Sequence, residues 1–173
     1  MTTAASTIES AASTALTLLW DDLPSWRRDN AYILSGYRRT SNSYLVSLSS
    51  VLHLHNETVN IWTHLLGAAG FFAAGLLLYR AAAARYASAS DADCLVFACF
   101  FAGAFLCLGM SATYHALTNH SPAVAKWGNK LDYTGIVLLI VGSYVPAMYY
   151  GLFCHADMMA GGLSMVSVSP ISG

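Results

Sequence analysis

Three polar side chains beside long apolar runs have the chemistry of a hydrolytic metal site. Ser111 and His115 lie four residues apart in SATYH, so a helix would place the hydroxyl and the imidazole on one face. Asp132 is the second residue of the next apolar run, LDYTGI. An imidazole can bind zinc, and a carboxylate or hydroxyl can exchange hydrogen bonds or protons with a metal-bound water. Two plainer explanations stay open: an interfacial histidine, and an aspartate favoured by the dipole at a helix N-terminus.

A second polar group lies in HNETVNIWTH, at the start of the first apolar run. Glu57, Asn60 and His64 are three and four residues apart, so they line one stripe of a helix. They predict either a buried polar network that supports a site or a capping cluster at a helix N-terminus. The other histidines are interpreted as solvated surface residues: His53, His55, His120 and His155.

His115 is the one well-placed zinc ligand that these patterns provide. A catalytic zinc typically has three protein ligands and a water. His120 comes five residues later and falls on a different helix face. We therefore expect the zinc site of this chain to be incomplete.

The elements that must position these residues are membrane helices. The 173-residue chain is 56% hydrophobic and 10% charged, whereas about 25% of residues in a soluble domain are charged. Three continuous apolar runs, at residues 59–79, 94–114 and 131–150, each have about the 20 residues that a helix needs to cross a bilayer. The predicted fold class is all-α, a multi-pass transmembrane helical bundle. Small residues along the runs favour close helix packing, within the chain or in a helix–helix oligomer.

The sequence predicts three parts. Residues 1–43 form a polar N-terminal tail and a headgroup-level segment rich in Trp, Tyr and Arg. Residues 44–155 form the membrane domain, which begins with a short amphipathic helix within 44–56, where Leu45, Leu48 and Leu52 recur at helical spacing. Residues 156–173 form an atypical Gly/Ser-rich tail, too weakly apolar for an ordinary fourth span.

Basic residues predict the orientation. Arg80 and Arg85 lie on one side of the predicted spans. Six basic residues lie on the other side, four before the first span and two in the predicted 115–130 loop: Arg27, Arg28, Arg38, Arg39, Lys126 and Lys130. The positive-inside rule places the N-terminus in the cytoplasm, with His115 and Asp132 at one membrane level. The net charge of −1 says little about partners, but no basic block of the kind found in nucleic-acid binders occurs. Membrane lipids, and not nucleic acid, are the expected partners.

Three blocks resemble a known family. HNETVNIWTHLLG, SATYHALTNHS and LDYTGI, in this order, resemble the signature blocks of the progestin and adiponectin receptor (PAQR) family, which includes the hemolysin III-like proteins. The leading segment LLWDDLPSWRRDNAYILSGYRR resembles the fungal zinc-homeostasis, osmotin-receptor-like branch. The resemblance covers residues 18–155.

The resemblance implies a seven-helix membrane protein with a cytoplasmic N-terminus, in the endoplasmic reticulum or plasma membrane, of which this chain has the first three helices. It implies zinc near the cytoplasmic face, with the histidine of S-x-x-x-H as one ligand, here His115 after Ser111. It places an aspartate near the zinc-bound water, here Asp132. The other two ligands of the family come from an H-x-x-x-H on the seventh helix, a motif that this sequence does not contain.

Three functions are compatible with this resemblance. In the first, Ser111 and Asp132 are catalytic and His115 binds Zn2+ in a ceramidase-like amide hydrolase that acts on a ceramide-like substrate, in sphingolipid signalling and zinc homeostasis. In the second, the protein is a receptor for an extracellular protein ligand, and its zinc is only structural. In the third it is an inactive fragment, since we expect the chain to be truncated after its third transmembrane helix.

The orientation can be tested with introduced glycosylation sites. A site near residue 5 should stay unmodified and one at Ser88–Ser90 should be glycosylated, because the arginines before the first span hold that side in the cytoplasm. Glycosylation of the N-terminal site alone would reverse the orientation.

Overall fold

Helices make up most of the computed structural model, which describes residues 17–85 and 90–167. In chain order the elements are β1 (Thr17–Leu18), two 3-10 turns (Trp20–Asp22 and Ser25–Arg27), β2 (Tyr37–Arg38), α1 (Tyr44–Ser49), a third 3-10 turn (Ser50–Leu52), α2 (Thr58–Arg85), α3 (Asp91–Leu117), α4 (Pro122–Gly151) and α5 (Ala156–Ser167). By length and composition α2, α3 and α4 can each cross a membrane. The all-α multi-pass fold predicted from the sequence is therefore confirmed. The predicted polar tail before Thr17, and residues 168–173 of the predicted atypical tail, lie outside the described residues.

The helices extend beyond their predicted limits, most of all at α4. This helix begins at Pro122 rather than Leu131, so the predicted 115–130 loop shortens to residues 118–121. Proline suits the first position of a helix, and the Ser121 hydroxyl accepts a hydrogen bond from the Val124 N–H at 3.4 Å. Asp132 consequently lies about three turns inside α4, so its explanation as a helix N-terminal residue is wrong.

The chain divides into two compact units. The first, here called the polar unit, consists of residues 17–64 and 111–131 among those described. The second, here called the apolar unit, consists of residues 65–110, without 86–89, and residues 132–167.

A short antiparallel pairing of β1 with β2 opens the polar unit, with Thr17 opposite Arg38. Beyond β2, the Ser41 N–H donates to the Asn119 carbonyl at 2.9 Å. The Asn119 side-chain amide donates to the Arg39 carbonyl at 3.0 Å. These bonds join the segment before α1 to the residues that follow α3.

Arg38 caps the C-terminal end of α3 from inside the polar unit. Its guanidinium donates to the carbonyls of His115 at 2.6 Å and Ala116 at 2.9 Å, and to the Ser50 hydroxyl at 2.9 Å. The last carbonyls of a helix have no partner within the helix, so Arg38 satisfies two of them. Burial lowers the pKa of Arg38 to about 10, against the opposing effect of the Glu57 carboxylate, so the side chain stays charged at neutral pH.

The short helix α1 turns its polar side inward. Ser47 is fully buried, and its hydroxyl lies 2.7 Å from that of Ser41. Its leucine stripe is exposed: Leu45 by 78%, Leu48 by 54% and, in the following 3-10 turn, Leu52 by 78%. The helix is shorter than the predicted 44–56, yet its exposed leucines are typical of a segment at a membrane surface.

Close backbone approach holds α3 against α4 in the apolar unit. A Cβ atom added to Gly142 would lie 2.5 Å from the Cys99 carbonyl oxygen, and one added to Gly103 would lie 2.8 Å from the Leu138 carbonyl oxygen. Small residues permit such approach between membrane helices.

Gly142→Ala should destabilise the chain by about 1–3 kcal/mol, because the added methyl group overpacks the contact with Cys99. Gly70→Ala is the matched control, since a Cβ there meets no atom within 4 Å. Unfolding of both variants in mixed micelles measures the difference. Equal stabilities would contradict the close approach.

Arg38→Met should cost about 1–3 kcal/mol, because it leaves the Ala116 carbonyl without its partner and the His115 carbonyl with only the Thr118 hydroxyl at 3.4 Å. Arg39→Met removes the same charge at an exposed neighbour and should change stability by about 0.5 kcal/mol or less. The same unfolding measurement compares them, and similar losses in both variants would show that charge rather than capping matters.

Candidate functional site

His115, in the last turn of α3, has a polar partner at each ring nitrogen. Its Nδ1 is 2.9 Å from Glu57 Oε2, and the two side chains are only 17% and 20% exposed. A carboxylate can only accept, so Nδ1 carries the hydrogen. The Asn60 amide nitrogen lies 3.0 Å from Nε2 and 3.2 Å from Nδ1, so it lies against the ring and not along the in-plane lone pair of Nε2. Nε2 is therefore the nitrogen of His115 that can bind a metal.

The stripe of Glu57, Asn60 and His64 forms a polar network around His115. The His64 ring lies edge-on to the His115 ring, with centroids 6.3 Å apart and an angle of 79°. The buried Nδ1 of His64 has no hydrogen-bond partner among the described residues. Of the two explanations that the spacing left open, the structure favours the network, because the Glu57 carboxylate bonds to His115.

Electrostatics keeps Glu57 charged. Burial raises the pKa of its carboxyl group, but the hydrogen bond from His115 and the charge of Arg38 oppose this, and the net shift is downward. In His55, burial and then the charge of Arg38 lower the pKa to about 4, so this imidazole is neutral at pH 7. Its Nδ1 accepts from the Glu57 N–H at 3.1 Å, and its buried Nε2 lacks a partner within the described residues. The interpretation of His55 as a solvated histidine is therefore wrong.

A polar cavity of about 90 Å³ adjoins Glu57 in the polar unit. Arg27, Asp29 and Asn56 are among the residues that line it, and Arg27 is only 9% exposed. The volume suits a few waters, at about 30 Å³ of liquid for each. Asn56 Oδ1, buried and without a partner in the described part of the chain, is a group that such a water could satisfy.

Ser111 and His115 lie together in the polar unit, one helical turn apart on α3. Ser111 is 5% exposed. Asp132 belongs to the apolar unit, and its approach to His115 stays a prediction. The catalytic roles of Ser111 and Asp132 likewise stay predictions.

His115 offers one position of a metal site. Across residues 17–85 and 90–167, no group of three or more His, Cys, Asp or Glu residues could hold a metal ion. The donor chemistry of His115 nevertheless fits zinc, which accepts neutral imidazole nitrogen. The unpartnered Nδ1 of His64, close to the same ring, adds to a polar environment in which an ion could be accommodated.

From the sequence, Arg38 is identified only as one of the arginines that set the membrane orientation. In the structure its guanidinium also donates to the His115 carbonyl. Arg38 is 5% exposed, while the adjacent Arg39 is exposed. Residue type does not distinguish the two. Strand alternation does not distinguish them either, since Tyr37 and Arg38, the two successive residues of β2, are both buried.

Comparison with known proteins assigns the chain to a family. A family model described as Haemolysin-III related matches residues 52–173. The match continues past residue 155, where the resemblance was expected to end, and it includes α5.

Curated relatives give the same assignment. The chain is 46% identical over 134 residues to the ADIPOR-like receptor IZH2 of Saccharomyces cerevisiae, covering 78% of this chain and 42% of the relative. It is 39% identical over 149 residues to the adiponectin receptor protein of Drosophila melanogaster, covering 86% and 33%. It is 40% identical over 156 residues to the progestin and adipoQ receptor-like protein 1 of Caenorhabditis elegans, covering 87% and 34%.

The matched part thus spans between 33% and 42% of these three relatives. The yeast relative fits the fungal branch that the leading segment resembles. With three helices able to span a membrane and a family match over most of its length, the chain is an integral membrane protein that belongs to the haemolysin-III related family of adiponectin and progestin receptor-like proteins.

Proposed function

We propose that the chain provides part of a zinc-dependent, ceramidase-like amide hydrolase of this family, with His115 as one zinc ligand. The observation that carries the proposal is the state of the His115 ring, whose Nδ1 donates to the Glu57 carboxylate at 2.9 Å, which leaves the lone pair on Nε2. The further ligands would come from residues outside this chain. The wider role is in sphingolipid signalling and zinc homeostasis, in the endoplasmic reticulum or plasma membrane and with the N-terminus in the cytoplasm.

The remaining chemistry falls to two side chains. Zinc, when bound, supplies Lewis acidity at a substrate carbonyl and lowers the pKa of water. The Asp132 carboxylate accepts the proton of the attacking water and returns it to the leaving nitrogen of the amide. The Ser111 hydroxyl donates a hydrogen bond to the oxygen on which negative charge develops. A lipid amide such as ceramide is the substrate class, since spanning helices give access from the bilayer.

A second candidate is a receptor in which zinc is structural. It is favoured by the three relatives named above, all of which carry the word receptor in their names. His115 is a metal ligand in both functions, so only a measurement of substrate hydrolysis distinguishes the hydrolase from the receptor.

Substitutions can separate the roles in a chimera in which this chain replaces the matched segment of the yeast relative. His115→Ala should lose zinc and hydrolysis together, because the ligand itself is removed. Asp132→Asn should keep zinc and lose about 10²–10⁴-fold in rate, as for a positioned acid–base group. Ser111→Ala should lose about 10²–10³-fold, as for one oxyanion donor.

Release of sphingoid base from a ceramide, with zinc content measured on the same samples, gives both readouts. Asp157→Asn at an exposed position and Ser143→Ala at a half-buried one are matched controls and should change neither. Full hydrolysis and full zinc content in Asp132→Asn would reject the hydrolase. An absence of hydrolysis in the unmodified chimera, with zinc retained, would favour the receptor.

A further inference from the structure

We propose that Glu57 is a positioning residue for His115: its carboxylate holds the imidazole in the Nδ1–H tautomer and so makes Nε2 the metal-binding nitrogen. The inference rests on the proposed zinc function, but it concerns a residue to which that function gives no catalytic or ligand role. Histidines that bind metals usually donate their second ring N–H to a carboxylate or carbonyl, which orients the ring and raises its basicity.

The carboxylate has to reverse an intrinsic preference. A neutral histidine side chain in water carries its hydrogen mainly on Nε2, which would leave the lone pair on Nδ1. Glu57 can accept a hydrogen bond from Nδ1 but cannot donate one, so contact at 2.9 Å selects the opposite tautomer. With both side chains at most one-fifth exposed, water competes weakly for either group.

Backbone contacts hold both ends of this bond in place. The His115 carbonyl accepts from Arg38 at 2.6 Å. The Glu57 N–H donates to His55 Nδ1 at 3.1 Å, and the Glu57 carbonyl accepts from the Ile61 N–H at 2.9 Å. The carboxylate and the ring are therefore presented to each other by fixed main chain.

Asn60 provides an internal contrast, because it contacts the nitrogen that a metal would take. Its amide nitrogen lies 3.0 Å from Nε2 and 3.2 Å from Nδ1 and carries no charge, so it selects neither nitrogen and does not repel a cation. The Glu57 carboxylate, on the other nitrogen, becomes more strongly attracted once a cation binds the ring. Removal of Asn60 should therefore leave the tautomer unchanged, whereas removal of Glu57 should not.

The tautomer can be read in this chain before any metal is added. The purified chain, with 15N-labelled histidine and in detergent at about pH 8, well above the ordinary histidine pKa, gives separate nitrogen shifts for protonated and lone-pair ring nitrogens. His115→Gln identifies the His115 signals. In the unmodified chain we expect Nδ1 to be protonated, and in Glu57→Ala we expect the hydrogen to move to Nε2 or to exchange between both nitrogens.

Three further variants test whether the Glu57 carboxylate is the cause of the Nδ1–H tautomer. Glu57→Gln keeps the shape and an acceptor oxygen, so it should show an intermediate shift and remain informative if Glu57→Ala fails to fold. Asp29→Asn removes a different carboxylate from the same cavity, and Asn60→Ala removes the other partner of the ring. Both should leave Nδ1 protonated.

A zinc chloride titration of the chimera with the yeast relative, whose yeast part would supply the further ligands, is the second readout. The unmodified chimera should bind zinc, and Glu57→Ala in the chimera should weaken zinc binding by about 10–100-fold, as outer partners of metal ligands do. An unchanged tautomer in both Glu57 variants would overturn the role of Glu57, whatever zinc does. An unmodified chimera that does not bind zinc would overturn the metal function instead, and the two failures are distinct because the tautomer is measured separately and before any zinc is added.

Discussion

The buried guanidinium of Arg38 is the interaction on which the polar unit depends. It joins β2 to the last carbonyls of α3 and to the Ser50 hydroxyl that follows α1. A charged group this deeply buried is costly unless its hydrogen bonds are made, so the segments that supply the acceptors must take these positions together. The backbone of His115 is one of those acceptors, and the geometry of the candidate site therefore follows from a contact that is itself structural.

The polar and apolar units are stabilised in opposite ways. In the polar unit the interior contains Arg27, Arg38, Ser47 and Asn119, each at most 9% exposed, with hydrogen bonds between segments. In the apolar unit Gly103 and Gly142 let the backbones of α3 and α4 approach closely, while large side chains such as Leu77 are 68% exposed. This division suits a protein whose spans face lipid, where burial of leucine against leucine gains little over contact with acyl chains.

Properties that depend on neighbouring residues could be predicted from the sequence. Length and continuous apolarity identified the three spans, and the spacing of Glu57, Asn60 and His64 identified their common stripe. The start of α4 was missed although Ser121–Pro122 is a local helix signal. Features set by distant partners could not be predicted. Arg38 and Arg39 are identical in type, and Arg38 differs through acceptors that lie 12 to 80 residues away along the chain. His53 and His55 differ in the same manner, since only the second is enclosed near Arg38.

The separation of Arg38 from its acceptors also orders the assembly of the protein during synthesis. The carbonyls of His115 and Ala116 are made 77 and 78 residues after Arg38, which at the usual pace of translation is an interval of about 4–15 seconds. Throughout that interval the guanidinium has no helix end to cap and remains hydrated. The N-terminal segment can complete its fold only after two apolar helices have been made, so the neighbourhood of His115 forms late, as a consequence of membrane insertion.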